Sequence, residues 1–273
     1  MKPTLPQSVN RQLRLLAVYA WANFRRNTIF RVSLLLEQSS YLVQLVISLV
    51  LWKYLFTRLP RFEGWTFDAI LVLHLFGNLF LALFHSVFMG CHTLWGAIQN
   101  GLLDSYLVRP VDPRWAHLAS CVRPEELLNR LLAQVPLVLY LASRGVELEP
   151  ARVAVGLAVM LLGLCAFSCI QLTVCALAFW VPRGDAILSF LDLFYGFYRF
   201  PLNALSWTAQ LVIALFAPVV LAVTYPALFA TGGSSPEGLA LVTAATLAVL
   251  AVWWGLQRWV WRRGLAAYQS PAG

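Results

Sequence analysis

Long runs of apolar residues, each ending near arginine, constrain this chain more than any other feature of its sequence. A helix needs roughly 20 apolar residues to cross a hydrocarbon core about 30 Å thick, and the first run, residues 32–56, is long enough. Hydrophobic residues make up 60% of the 273 and charged residues 12%, whereas a soluble domain has about 25% charged residues. The sequence therefore predicts an all-α, polytopic membrane helix bundle.

We predict one transmembrane domain with six spans. The proposed spans cover residues 32–56, 67–94, 127–143, 153–181, 186–198 and 239–261. The segment between the last two is interrupted by Pro201, Pro218 and Pro226. We predict that residues 201–230 form short helices that re-enter the outer leaflet, and such backbone must pack on the bundle or line a cavity. Two complete spans here would make seven and place the C-terminus outside.

The distribution of basic residues supports six spans with both termini in the cytoplasm. Arg258, Arg262 and Arg263 follow the last span, and cytoplasmic loops carry the excess of Lys and Arg. The proposed outside segments hold only Lys53, Arg58, Arg61, Arg144, Arg152 and Arg199, and all other basic residues fall inside. The net charge of +8 thus indicates orientation in a bilayer, for which we expect the inner (cytoplasmic) membrane of the cell, and no nucleic-acid partner is expected.

The first 31 residues predict a cytoplasmic amphipathic helix rather than a cleaved signal. The apolar residues recur at intervals of three and four, and four arginines lie off this stripe: Leu13, Leu16, Ala17, Ala20, Trp21 and Phe24 against Arg11, Arg14, Arg25 and Arg26. Such a helix is suited to lie in the membrane interface. A surface helix packed on the protein would show a similar pattern.

Motifs for catalysis and metal binding are missing from the sequence. There is no GxxxxGK[ST] loop, and Lys2 and Lys53 are the only lysines, so any ATP must be hydrolysed elsewhere. Neither HExxH nor GxSxG occurs. The five cysteines form no CxxC pair, and the scattered histidines are expected to be hydrogen-bonded core residues. We expect no catalytic residue and no metal or cofactor in this chain.

Several polar residues fall inside predicted spans, where charges are costly. Asp192 lies near Arg199, and the two would form an ion pair that anchors the outer hairpin, or else contact substrate. Glu37 would pair with Arg31 or with an arginine of the following linker. Asn78 and Gln171 could face a translocation path, although hydrogen bonding between helices explains them equally well.

The longest hydrophilic stretch, residues 99–126, is called the linker below. Its start has helical spacing, with Ile98, Leu102 or Leu103, and Tyr106 on one side and with Gly101 and Asp104 exposed. Residues 109–113, Arg-Pro-Val-Asp-Pro, then predict an extended turn, because a residue before proline avoids the helical region. A short helix closed by such a turn is a good docking element, although an ordinary loop remains the alternative.

The linker also carries the best resemblance to a known family. Gly101-Leu102-Leu103-Asp104 followed by Leu107-Val108-Arg109-Pro110-Val111 resembles the G-x-L/I-D-x-x-L-x-R-P signature of type-2 ABC transporter permeases. The C-terminal segment, residues 264–270, resembles the closing G-x-x-x-Y-x-S of that family. Tyr198 to Pro201, Trp207, Pro218 and the Tyr225-Pro226-Ala227 segment resemble its outer region.

The resemblance implies a permease subunit of an ABC exporter, paired with a second permease as homodimer or heterodimer and driven by separate ATPase subunits that hold ATP and Mg. It places coupling to the ATPase at Gly101, Leu102, Asp104, Leu107, Arg109, Pro110 and Asp112. It places the re-entrant outer helices at residues 201–230, and the candidates for the translocation path or outer gate are the polar span residues Asn78, Gln171, Asp192 and Arg199 together with Pro218 and Tyr225. The alternatives are a non-transporting membrane scaffold or assembly factor and, less well supported, a secondary transporter.

Overall fold

The computed structural model describes most of the chain as helix. The described residues are 5–27, 29, 31–59, 62–181, 183, 184, 186, 187, 189, 190, 193 and 196–269. Among them the only β-type pairing is an isolated bridge between Phe62 and Trp65. The predicted all-α class is therefore confirmed for this part of the chain.

Seven α-helices are described in the first half. Helix α1 spans Leu5–Asn27, α2 Arg31–Arg58, α3 Phe67–Leu83, α4 Met89–Gln99, α5 Leu102–Leu107, α6 Pro113–Ser120 and α7 Pro124–Ser143. Helices α3 and α4 are joined by a π-helical turn, Phe84–Phe88. Helix α7 contains Pro136.

The second half contains two long helices and a bent pair. Helix α8 spans Pro150–Cys175, α9 Trp207–Phe216, α10 Tyr225–Ala230 and α11 Pro236–Ala267. Helix α8 continues as a 3₁₀ turn, Ala176–Phe179. A π-helical turn, Val220–Thr224, leads into α10, and the chain bends by 100° between α9 and this turn.

In the described part of the chain, four helices are long and apolar enough to cross a membrane: Val32–Arg58, Phe67–Gln99, Pro150–Phe179 and Pro236–Ala267. They correspond to the first, second, fourth and sixth predicted spans. The bent pair would add a fifth as a broken span or a re-entrant loop, in keeping with the interruption predicted at 201–230. Helix α7 is not among the four because charged residues occupy its first two turns, and the predicted span 186–198 lies partly outside the described residues. Six spans therefore stay a prediction.

The main core lies between α3, α7, α8 and the bent segment. Its largest fully buried side chains include Trp65, Phe80, Phe84 and Phe167. The Phe167 ring packs against those of Phe80 and Phe84, with centroids 5.7 and 5.0 Å away. Close van der Waals packing of such rings holds helices together where lipid offers no hydrophobic driving force, so this cluster organises the bundle.

Contacts between residues that are far apart in sequence define the two ends of the bundle. At the linker end, the side-chain amide of Gln99 donates to Val181 O at 3.3 Å, and α1 packs on α6. At the opposite end, Arg144 pairs with Asp68, and Trp65 Nε1 donates to Asn203 Oδ1 at 2.8 Å. Helix α1 and the last turns of α11 both lie at the linker end.

The helix predicted in the first 31 residues is observed as α1. It packs on the rest of the protein through a partly polar face. Asn23 is buried, and its amide donates to Ser120 O and Val122 O, each at 2.9 Å. Asn27 donates to Glu125 Oε1 at 2.7 Å. Trp21, part of the predicted apolar stripe, is 63% exposed. The interfacial position of α1 stays a prediction.

Candidate functional site

The linker is a compact, braced structure rather than an open loop. Helix α4 ends at Gln99, and Gly101 adopts the left-handed backbone conformation with φ of 72°, which glycine tolerates at least cost. The continuous helical spacing predicted from Ile98 is therefore wrong, because the chain breaks there and restarts as α5. A second short helix, α6, follows where only a polar loop was expected.

The six-residue helix α5 has one buried and one exposed side. Leu103 and Tyr106 are buried, while Leu102, Leu107 and Val108 are exposed, Val108 by 84%. We call these three exposed residues the docking ridge. Gly101 and Asp104 were expected to be exposed but are only partly so, because the C-terminal segment packs beside them. Burial and the nearby carboxylate of Asp104 raise the pKa of Tyr268 to about 12.

The second half of the linker begins with a capped helix. Asp112 is the N-cap of α6, and its Oδ1 accepts from Arg114 N at 2.9 Å. The Arg114 guanidinium closes on the same carboxylate, with Nη2 2.6 Å from Oδ2. Burial alone would raise the pKa of Asp112, but the hydrogen bonds and charge of Arg114 outweigh it and lower that pKa.

Arg114 also connects the linker to α11. Its Nη1 donates to Gln257 Oε1 at 3.0 Å, and the guanidinium lies 5.4 Å from the centre of the Trp261 ring. A guanidinium over an indole face is an attractive pair. The linker is thereby attached to the last span, which sequence reasoning did not anticipate.

Arg109 connects the other side of the linker to α1. Its Nη1 donates to the hydroxyl of Tyr19, and its guanidinium lies 5.3 Å from the Tyr106 ring centre. The Tyr106 hydroxyl in turn lies 2.8 Å from Ser120 Oγ. The seven predicted coupling residues therefore share one braced surface, on which exposed Pro110 completes the turn.

The predicted path residues Asn78 and Arg199 lie together between α2 and α3. Tyr198 Oη donates to Asn78 Oδ1 at 3.4 Å, and Arg199 Nε donates to Tyr198 Oη at 3.0 Å. Arg199 also donates to the side-chain oxygen of Gln44. A small cavity of about 10 Å³ lies among these groups, which is enough for one water.

The other predicted path residues that the structure describes, Gln171, Pro218 and Tyr225, lie away from that cluster. Gln171 is fully buried in α8, and neither of its side-chain polar atoms has a hydrogen-bond partner among the described residues. The Tyr225 hydroxyl donates to Gln210 Oε1 at 2.8 Å, which ties α10 to α9. Pro218 is buried just before the π-helical turn. Asp192 lies outside the described residues, so its pairing with Arg199 stays a prediction.

An ion network at the start of α7 was missed from the sequence. Glu126 is 3% exposed, and its Oε1 accepts from Tyr41 Oη at 2.7 Å and from Arg130 Nε at 2.6 Å. His85, in the first π-helical turn, lies 3.8 Å away. The spacing of Glu126 and Arg130, four residues apart on a helix, was the available signal.

A second ion pair joins the linker to α2. Arg123 Nη2 lies 3.7 Å from Glu37 Oε1, which confirms the linker-arginine alternative for Glu37. The backbone N–H of Arg123 donates to Ser86 O at 2.7 Å, so the π-helical turn is held as well. Among the described residues no group of three or more His, Cys, Asp or Glu side chains is arranged for a metal ion.

Comparison with known proteins gives one match. A family model described as ABC-2 family transporter protein matches residues 42–272, which is most of the chain and includes the linker, the bent segment and α11. Neither the search of curated proteins nor that of solved structures found a match. With its multi-pass apolar helices and its matched length, the chain belongs to the ABC-2 family of transporter proteins.

Proposed function

We propose that this chain is the permease subunit of an ATP-driven ABC exporter, and that separate ATPase subunits drive it through residues 99–113. The observation that carries the proposal is the docking ridge, an exposed apolar surface on a linker braced against three other helices. Members of the family usually work with ATPase partners, and this sequence contains no phosphate-binding loop. ATP and Mg would therefore bind in the partner.

The ridge has the chemistry of a protein contact. Leu102, Leu107 and Val108 expose apolar surface next to the charged side chain of Arg109, and interfaces combine an apolar centre with a polar rim. The opposite side of α5 is fixed by buried Leu103. Force applied to the ridge would pass to α1 through Arg109 and to α11 through Arg114.

The two ends of the bundle support six crossings. Helix α7 leads from Arg123 at the linker end to Arg144 at the opposite end. The chain also passes from Val181 at the linker end to Asn203 at the opposite end. Together with the four long apolar helices these make six passages. Both termini would face the cytoplasm in an inner membrane, on the side rich in arginine.

A second permease, identical or different, would complete the translocation path. Helices α2 and α11 leave most of their apolar surface uncovered in this chain, and Gln44 with Arg199 lies beside the exposed side of α2. ATP binding would favour the permease state to which the closed ATPase pair binds more tightly. The cluster around Asn78 and the bent segment at Pro218 would then form the outer gate.

The proposal is tested by introducing a charged side chain into the docking ridge. Val108→Asp places a carboxylate in the proposed contact, and the loss of one central apolar contact costs more than about 1 kcal/mol, so ATPase stimulation by the permease should fall about tenfold. Leu59→Asp is the matched control, because Leu59 is 48% exposed and lies at the opposite end. ATPase activity is measured with each variant reconstituted beside the ATPase.

Equal stimulation by the Val108→Asp variant and the wild type would remove the linker from coupling. If no ATPase co-purifies with the wild-type chain or responds to it, the permease role itself is wrong, and a scaffold or assembly function becomes the better interpretation.

A further inference from the structure

A groove lies between α1 and the turn at residues 109–111. Its volume is about 360 Å³. Leu15 and Val18 of α1 form one wall, and Pro110, Val111 and Ala116 form the other. Because the lining is mostly apolar, the groove favours binding of a hydrocarbon chain over binding of a free ion or a sugar.

Two arginines lie at the rim of this apolar groove. Arg14 is exposed and makes no ion pair with any other residue that the structure describes. Arg109 uses Nη1 to bond Tyr19, which leaves the outer edge of its guanidinium available. Helix α1 contains no acidic residue to compensate either of them. A guanidinium pair of this kind favours a phosphate group, to which arginine binds through two parallel hydrogen bonds.

The exposed side of α1 indicates what carries that phosphate. Val18 and Trp21 are 66% and 63% exposed, and they alternate along the helix with exposed Arg14 and Arg25. Apolar and aromatic side chains mixed with arginine on one helix face are typical of a helix in the membrane interface. Helix α1 ends at Asn27, four residues before the first span begins.

We propose that this groove binds one anionic phospholipid of the leaflet at the linker end. The phosphate lies between Arg14 and Arg109, and an acyl chain lies against Leu15, Val18 and Val111. Because α1 forms one wall and the turn that follows α5 forms the other, the bound lipid holds the docking ridge in position. This inference goes beyond the proposed transport function, and its binding test does not depend on that function.

The test measures lipid binding to the purified full-length protein by native mass spectrometry, with phosphatidylglycerol and phosphatidylcholine as the two probes. Arg14→Glu should lower the affinity for phosphatidylglycerol at least about tenfold, since each basic residue near an anionic surface contributes roughly 1 kcal/mol. Arg26→Glu is the matched control. It makes the same charge change at an exposed position of the same helix, outside the groove, and should change the affinity less than about threefold.

A second variant tests the acyl chain without a change of charge. Val18→Ser keeps both arginines, and because Val18 is exposed the fold does not depend on it. The proposal expects weaker phosphatidylglycerol binding in this variant and no competition by inorganic phosphate or glycerol phosphate. Equal competition by these headgroup fragments would mean a simple phosphate site and would overturn the proposal.

Two further outcomes would also overturn it. Equal losses in Arg14→Glu and Arg26→Glu would mean unspecific surface charge. Unchanged lipid binding in Arg14→Glu with weaker association of the ATPase would mean that the groove is part of the protein interface instead.

Discussion

The helices long enough to cross a membrane form two pairs that differ in how much of them this chain buries. In the inner pair, α3–α4 and α8, 67% and 56% of the most apolar stretch is buried within the chain. In the outer pair, α2 and α11, the shares are 11% and 17%. Both pairs are apolar enough to cross, so hydropathy alone does not separate them. Packing within the chain distinguishes the two pairs, because the inner helices contact neighbours from both halves of the sequence.

The two pairs use their side chains differently. The inner helices interlock through aromatic rings and through close approach, as where Gly163 of α8 lies against Ala222. The outer helices expose Val43, Ile47 and Val252, which are as soluble in lipid as in protein. Each keeps one narrow side on the bundle: Ser48 Oγ of α2 lies 2.6 Å from His74 Nε2, and α11 packs on α8 along a side that buries Val242 and Thr246.

The largest expected effect tests whether the inner helices are packed more tightly than the outer ones. One large side chain is removed from each pair. Phe167→Ala deletes a ring at 1% exposure between Phe80 and Phe84, and such a cavity costs about 3–5 kcal/mol. Trp254→Ala removes a larger ring that is 55% exposed on α11 and should cost less than about 1 kcal/mol. Unfolding midpoints in detergent measure both. Similar losses would mean that α11 is as tightly packed as α8.

Two glycines, Gly163 of α8 and Gly255 of α11, test how closely neighbouring backbone approaches an inner and an outer helix. A Cβ atom on Gly163 would lie 2.3 Å from Ala222 Cβ and 2.7 Å from its Cα, whereas one on Gly255 of α11 meets nothing within 4 Å. Gly163→Val should therefore destabilise the protein by about 1–3 kcal/mol through overpacking. Gly255→Val has the same intrinsic effect on a helix without the collision, so it isolates the packing term.

Thermal unfolding of the two glycine variants, with gel filtration to follow monodispersity, decides the outcome. A loss in Gly255→Val as large as that in Gly163→Val would show that the outer face of α11 is covered after all, for example by a second permease that co-purifies with the chain.

The smallest expected effect concerns the attachment of α11 to the linker. Asp112→Ala removes the cap of α6 and releases the guanidinium that reaches Gln257, and loss of an N-cap costs about 1 kcal/mol. Because the carboxylate is 39% exposed, solvent screens the ionic part. Asp112→Asn keeps a capping oxygen and should cost less.

The effect of Asp112→Ala should depend on pH in a defined direction. The pKa of Asp112 is lower in the folded protein, so its stabilisation is complete above the unfolded value near 4 and disappears as the pH falls through the folded value. The difference in unfolding midpoint between wild type and Asp112→Ala should therefore shrink below about pH 4. A difference that stays constant down to pH 3 would contradict the role of the charge.

Much of the architecture was predictable because crossing a membrane is a local property of sequence. The predicted spans 32–56 and 239–261 lie within the observed helices Arg31–Arg58 and Pro236–Ala267. The interruption around Pro218 was likewise anticipated from prolines, and the family was recognised from motifs in the linker. Helix α11 begins before its apolar run because Ser235 caps it, with Oγ accepting from Gly238 N at 3.1 Å, and because proline is tolerated at the first helical position, where Pro236 lies.

The candidate site was only partly predictable. The burial of Tyr106 followed from the spacing of α5, but the partial burial of Gly101 and Asp104, the break at Gly101 and the second helix α6 did not. The Glu126 network was missed because Tyr41 and Glu126 are 85 residues apart in sequence, and no local pattern relates them.

The sequence alone determined that this chain is an all-helical membrane protein of the ABC-2 family, since apolar run length and short motifs are set by neighbouring residues. Tertiary structure alone decided which apolar helices are inner and which are outer, and how Arg109 and Arg114 brace the linker between α1 and α11. The physical reason is that burial and ion pairing depend on distances in space, and in this fold those distances join residues separated by most of the chain.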